Sequence, residues 1–182
     1  MILVFGVAGS GKSTQSQLLA NRFGWMWLSM GEMLREELKG SMADQMNSDK
    51  MLNDEQVMQI LQKNLNSIPA NKIIILDGFP RRQSQAEWLV DTLANSTRKI
   101  DVAVHLEAQQ VTVQERLLSR GRQDDIPDAI KERFHEYDTQ IKPILNYLED
   151  INVPLINVDA EQSPNKVHSD IVDQLKELGV VS

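Results

Sequence analysis

The sequence has no cysteine among its 182 residues. That excludes a disulfide scaffold and any thiolate metal site, and it suits a reducing cytoplasm, the compartment expected here. Positive charge is in deficit: 19 Lys and Arg stand against 26 Asp and Glu, a net charge of −7. A general nucleic-acid binder needs a basic footprint to release counterions from phosphates, so no nucleic-acid partner is expected. No apolar run approaches the roughly 20 residues of a membrane span. Met1 to Gly6 shows no basic leader or cleavage site of a signal peptide, and no membrane partner is expected either. Repeats and low-complexity tracts are also missing. What is present is 41% hydrophobic and 25% charged residues. That is the balance of a globular chain, long enough for one well-filled domain.

The chain alternates between two periodicities. Short apolar runs at Ile2–Phe5, Trp25–Leu28, Ile73–Leu76, Val102–Val104 and Val153–Ile156 read as strands buried on both faces of a parallel sheet, the last weakened by Pro154. Between them lie helical stripes: Val111, Val113, Leu117 and Leu118, then Val167, Ile171, Val172, Leu175 and Leu178 ahead of Gly179. Strand and helix in alternation predict a three-layer α/β fold around a central parallel sheet of five strands with right-handed crossovers. Residues 30–70 interrupt that rhythm with two polar, helix-prone stretches and no strand, and read as a helical insertion. Trp25 and Trp27 read as packing residues, and His105, His135 and His168 as structural or surface ones.

The strongest local signal is Gly6-Val-Ala-Gly9-Ser10-Gly11-Lys12-Ser13. It fits G-x-x-x-x-G-K-[ST], directly after a strand and directly before a helix. The glycines let successive backbone N–H groups point at phosphate oxygens, and the helix that follows adds its positive end. Lys12 would bridge the β- and γ-phosphates, while Ser13 or Thr14 would hold Mg²⁺. Such a pattern arises by chance in roughly one chain in a hundred of this length. The guanine-reading Asn-Lys-x-Asp does not occur, which argues against a switch GTPase. Leu76-Asp77-Gly78-Phe79-Pro80-Arg81 ends the third strand and so faces the same crevice as the loop. There Asp77 would orient Mg²⁺ through water, Gly78 would let the backbone approach a base, and Arg81 offers a bidentate fork for a phosphate.

At Asp77-Gly-Phe-Pro-Arg81 the chain resembles the nucleoside monophosphate kinases, adenylate kinases most closely. The resemblance extends over almost the whole chain: Leu28-Ser29-Met-Gly-Glu-Met-Leu-Arg35, Lys50-Met51-Leu52, Gln85, Arg116-Leu-Leu-Ser-Arg120-Gly-Arg122-Gln-Asp124-Asp125, Arg133 and Val158–Gln162. It implies ATP on Gly9, Ser10, Gly11, Lys12, Ser13 and Thr14, with Arg116 on the donor adenine, Arg120 on the donor phosphates and Gln162 in the donor-base loop. It implies AMP held by Ser29 and Arg35, by the backbone of Lys50, Met51 and Leu52, and by Gly78 and Arg81. Gln85 would read adenine, whose edge presents a donor beside an acceptor. Lys12, Arg81, Arg122 and Arg133 would be catalytic, the last two also touching the acceptor phosphate. Asp124 and Asp125 would tether a lid or orient waters on Mg²⁺.

The implied organisation is a core of residues 1–28, 66–119 and 127–182, an acceptor-binding insertion at about 29–65 and a lid at about 120–126. Gly121-Arg122 makes that lid too short for a zinc-bearing insert, so Mg²⁺ with ATP and no zinc is expected, in a monomer. The reaction implied is reversible phosphoryl transfer from Mg-ATP to AMP, giving two ADP. Two alternatives stay open on the residues alone: a kinase for another nucleoside monophosphate (UMP or CMP) or a small metabolite, and a nucleotide-binding module or ATPase.

Overall fold

The computed structural model describes residues 1–42 (side chains to 37), 53–121 and 125–181. Five strands, β1 (Ile2–Gly6), β2 (Met26–Ser29), β3 (Ile74–Asp77), β4 (Val102–Glu107) and β5 (Leu155–Asp159), form one sheet in the order β2-β3-β1-β4-β5. All its pairings are parallel: Ile2 of β1 lies opposite both Ile75 of β3 and Val102 of β4. The helices are α1 (Lys12–Phe23), α2 (Met30–Met42), α3 (Asp54–Ser67), α4 (Gln83–Ala94), α5 (Gln110–Arg120), α6 (Pro127–Glu136), α7 (Lys142–Asp150) and α8 (Pro164–Glu177).

Side-chain alternation along β1 explains the three layers. Leu3 and Phe5 face a core shared with Leu61 of α3, Leu89 of α4 and Leu148 of α7. Ile2 and Val4 face the opposite core, built with Leu19 of α1 and Ile171 and Leu175 of α8. Each of these side chains is at most 3% exposed, so each contributes about 1.5–3 kcal/mol of burial. The helices that follow β1 and β3 leave the sheet on opposite faces, which opens a crevice above the carboxyl ends of those two adjacent strands.

All five strands are offset from their apolar runs, β1, β2 and β3 by a single residue and β4 and β5 by more. β5 starts at Leu155, because Pro154 has no N–H to give the ladder; its carbonyl still accepts from Ala103 N at 2.9 Å. β4 runs three residues beyond its apolar run, through His105, a buried residue in the middle of the sheet. Its ring is satisfied by Asn157 Oδ1 at 2.8 Å and by the Tyr137 hydroxyl. Tyr137 opens the π-helical turn Tyr137–Ile141 between α6 and α7, and burial pushes its phenol up to about 12.

Between β2 and β3 stand α2 and α3, the helix-prone stretches of residues 30–70. Among the described residues no helix is long and apolar enough to cross a membrane. Leu89→Ala, at a fully buried position of α4, is expected to lower unfolding free energy by about 2–5 kcal/mol. Urea denaturation would read this as a lower midpoint at unchanged slope.

Candidate active site

The loop between β1 and α1 is shaped by glycine. Gly6 has φ +144°, and a Cβ there would stand 2.5 Å from Ser10 Oγ and 2.7 Å from the Leu106 carbonyl. Gly9 has φ +91°, and a Cβ would come within 2.9 Å of Leu117 Cγ. The backbone therefore turns in a space that no side chain can share. Helix α1 begins after Gly11 with no side-chain cap, so its first-turn N–H groups are available to an anion. Lys12 folds back over the loop, its Nζ donating to the carbonyls of Gly6 at 2.9 Å and Val7 at 3.0 Å. Burial pushes the Lys12 ammonium down to about 8; Asp77 opposes that shift, while the positive charges of Arg81 and Arg120 add to it. One residue on, Ser13 Oγ donates to Asp77 Oδ2 at 2.6 Å, and Asp77 is itself buried at the end of β3.

This loop forms one wall of a cleft of about 440 Å³. The end of β2 and the first turns of α2 form a second, through Ser29, Gly31 and Arg35, with Ser29 Oγ accepting from Glu32 N at 3.4 Å. A third comes from the end of β3, where Arg81 donates its Nε to the Gly78 carbonyl at 2.9 Å. Arg116 and Arg120 of α5 close the far side. Arg116 donates to the Ala160 carbonyl at 2.9 Å. Arg120 makes a two-pronged pair with Asp125, at 2.9 and 2.7 Å, and Arg133 donates to the same carboxylate at 2.9 Å. The Asp125 side chain is only 1% exposed, so one buried anion holds two guanidiniums in register.

The cleft thus brings together Gly9, Gly11, Lys12, Ser13, Thr14, Ser29, Arg35, Asp77, Gly78, Arg81, Arg116 and Arg120. Ser10 is buried inside the loop. Arg133 stands behind Arg120 through Asp125. Gln85 is buried beneath the wall, bonded to Arg81 N and Asp54 rather than lining the cleft. Gln162 lies apart, donating to Asp159 O and Asp170 Oδ2 at 3.3 and 3.1 Å. Lys50, Met51, Leu52, Arg122 and Asp124 fall outside the described residues. Six lining residues were not among the predicted site residues: Ala8, Gln17, Trp27, Gly31, Glu32 and Leu117. Gln17 is one helical turn beyond Ser13, and Trp27 is two strand positions before Ser29, so each shares a face with a predicted site residue. Trp27 packs on the second core, as read, and also lines the cleft.

A polyphosphate anion needs Lys12 charged, and Lys12 in the free protein loses its proton as pH rises through about 8. Affinity for inorganic tripolyphosphate, followed by titration calorimetry, is expected to be full below pH 7 and to fall as pH passes 8. Lys12→Met should bind weakly and lose that step.

A family model described as adenylate kinase matches residues 4–153. The adenylate kinase of Prochlorococcus marinus (strain MIT 9301) is 33% identical over 180 residues, covering 96% of this chain and 97% of that protein. The adenylate kinase of Porphyromonas gingivalis (strain ATCC 33277) is 33% identical over 162 residues, 84% of each chain. That of Phocaeicola vulgatus is 35% identical over 156 residues, 80% of this chain and 82% of the other. Similarity that runs nearly end to end, through both the anion-binding loop and the arginine-lined walls opposite it, shows that the chain belongs to the adenylate kinase family.

Proposed function

We propose that the cleft seats the triphosphate of ATP on the loop at Gly9–Thr14 and the phosphate of AMP between Arg35 and Arg81, and transfers the terminal phosphoryl group to give two ADP. The observation that carries this reading is the convergence of Lys12, Arg35, Arg81 and Arg120 on one cleft of about 440 Å³. An oxygen of the AMP phosphate attacks the γ-phosphorus in line, and the bond to the β,γ-bridging oxygen breaks. The transition state is loose, so positioning and charge stabilisation carry the catalysis. The nucleophile is already anionic and needs no general base.

In this reading Lys12, Arg81, Arg122 and Arg133 absorb charge on the transferring group, and Arg120 holds the donor phosphates. Arg116 serves the donor adenine. Gln162 belongs to the donor-base loop, whose Ala160 carbonyl accepts from Arg116. Ser29, Gly78 and Gln85 serve the acceptor. Asp125 keeps Arg120 and Arg133 aligned. Residues 29–65 act as the acceptor-binding insertion and 120–126 as a short lid, which together shield the reaction from water. One chain supplies every group, so a monomer suffices. The hydroxyl of Ser13 and the carboxylate of Asp77 are hard oxygen donors suited to Mg²⁺, and these two residues would hold the ion together with ATP, mostly through water and phosphates. Bound there with ATP, such an ion would supply neutralisation of phosphate charge.

A coupled assay for ADP, run with and without AMP, tests the reading: ADP should form only when AMP is present. Hydrolysis independent of AMP would instead indicate an ATPase. Arg81→Ala and Arg122→Ala are each expected to lose about 10³-fold or more in kcat, and near-wild-type turnover would remove either from the catalytic set. Gln85→Asn should erode the preference for AMP in a panel of monophosphates.

A further inference from the structure

We propose that Asp54 is a specificity-determining positioning residue. Its carboxylate sets which way round the Gln85 amide is held, and so which base edges the acceptor pocket takes. The proposal rests on Gln85 reading the acceptor base, and it adds a residue that acts through Gln85.

A glutamine amide is nearly symmetric in shape but not in chemistry: one end only accepts and the other only donates. Turned by 180°, it fits the same space and reads the opposite pattern. Something must therefore break the symmetry, and two neighbours of single polarity do so. The backbone N–H of Arg81, which can only donate, meets Gln85 Oε1 at 2.8 Å. The carboxylate of Asp54, which can only accept, meets Gln85 Nε2 at 3.0 Å. Reversal would set N–H against N–H and oxygen against oxygen, at a residue only 4% exposed, where unmade bonds are costly.

Asp54 is itself immobilised. It is the first residue of α3, directly after Asn53, whose side chain accepts from Gln56 N at 2.9 Å while the Gln56 side chain accepts from Asn53 N at 3.0 Å. This reciprocal cap holds the start of the helix. The second carboxylate oxygen is paired with Arg82 Nη1 at 3.1 Å. Asp54 reaches Gln85 across 31 residues of chain, from a different helix, so the orientation of the reading group is imposed from outside its own segment.

Each amide atom of Gln85 spends one of its two bonding positions on these neighbours, leaving one acceptor site and one hydrogen in a fixed order. Adenine and cytosine present an amino donor beside a ring acceptor. Uracil and guanine present a carbonyl acceptor beside a ring N–H, the reverse order. The fixed amide therefore rejects UMP and GMP by mismatch, whereas CMP must be rejected by the size of the pocket.

The test compares kcat/KM for AMP, UMP, GMP and CMP with ATP as donor. Asp54→Asn can donate as well as accept, so only the Arg81 N–H still opposes a turned amide. The AMP-to-UMP and AMP-to-GMP ratios should fall by about tenfold or more, through KM, with kcat at saturating AMP within about twofold and the AMP-to-CMP ratio little changed. Asp54→Ser, which keeps a good helix start and also both donates and accepts, should do the same. Asp54→Glu keeps an acceptor-only group and should keep the ratios within about threefold of the original. Ratios are taken on one sample, so a lower folded fraction cancels. Glu55→Gln removes the other acidic charge of that helix's first turn and should change nothing. Equal loss toward all four acceptors in Asp54→Asn, or matching shifts in Glu55→Gln, would overturn the proposal in favour of a simple tether or helix-charge effect. Unchanged ratios in Gln85→Ala would instead remove Gln85 as the reader, and the role of Asp54 would go with it.

Discussion

A buried lysine ammonium, bonded among the described residues to backbone carbonyls and to no carboxylate, governs this molecule. Among the described residues, Lys12 Nζ is held by the carbonyls of Gly6 and Val7, inside a site where Arg81 and Arg120 add positive charge and burial already favours the neutral amine. Asp77 offsets part of this, but its nearer bond is to the Ser13 hydroxyl. Among the described residues the cleft is lined by more positive than negative side chains, a balance that suits a polyanion. The sheet, the glycine turns and the uncapped start of α1 all serve to keep that unbalanced charge in place.

The chain's overall charge of −7 does not prevent this. Fields from distant carboxylates fade over about 8 Å at physiological salt. A guanidinium about 4 Å from a phosphate gains on the order of 4 kcal/mol at an effective dielectric near 20. Close groups decide the sign of the potential inside the cleft. Asp125 shows the same logic from the other side. By pairing with both Arg120 and Arg133, this single buried carboxylate lets two like charges stand close together and yet leaves the cleft net positive.

Much of the architecture was legible from periodicity. The alternating strands, the helix stripes and the two helices between β2 and β3 follow from where apolar residues recur, because burial on both faces of a parallel sheet leaves little freedom in composition. The exceptions share a cause. His105 interrupts the apolar pattern of β4 without ending the strand, because Asn157 and Tyr137 reach it from 52 and 32 residues away. Trp27 reads as packing from its neighbours along the chain, yet it also meets the cleft, because β2 lies at the edge of the sheet beside β3.

The amino-acid sequence by itself determined the local chemistry: a loop whose glycines admit an anion, a lysine and a serine next to it, and a strand end carrying Asp77, Gly78 and Arg81. These depend on spacings of a few residues, which bond lengths and helical geometry convert directly into shape. The tertiary structure alone decided which distant groups share a carboxylate and which way a near-symmetric amide faces. Asp54 meeting Gln85, and Asp125 joining Arg120 to Arg133, depend on how separate elements pack, and packing is a property of the whole core rather than of any one segment.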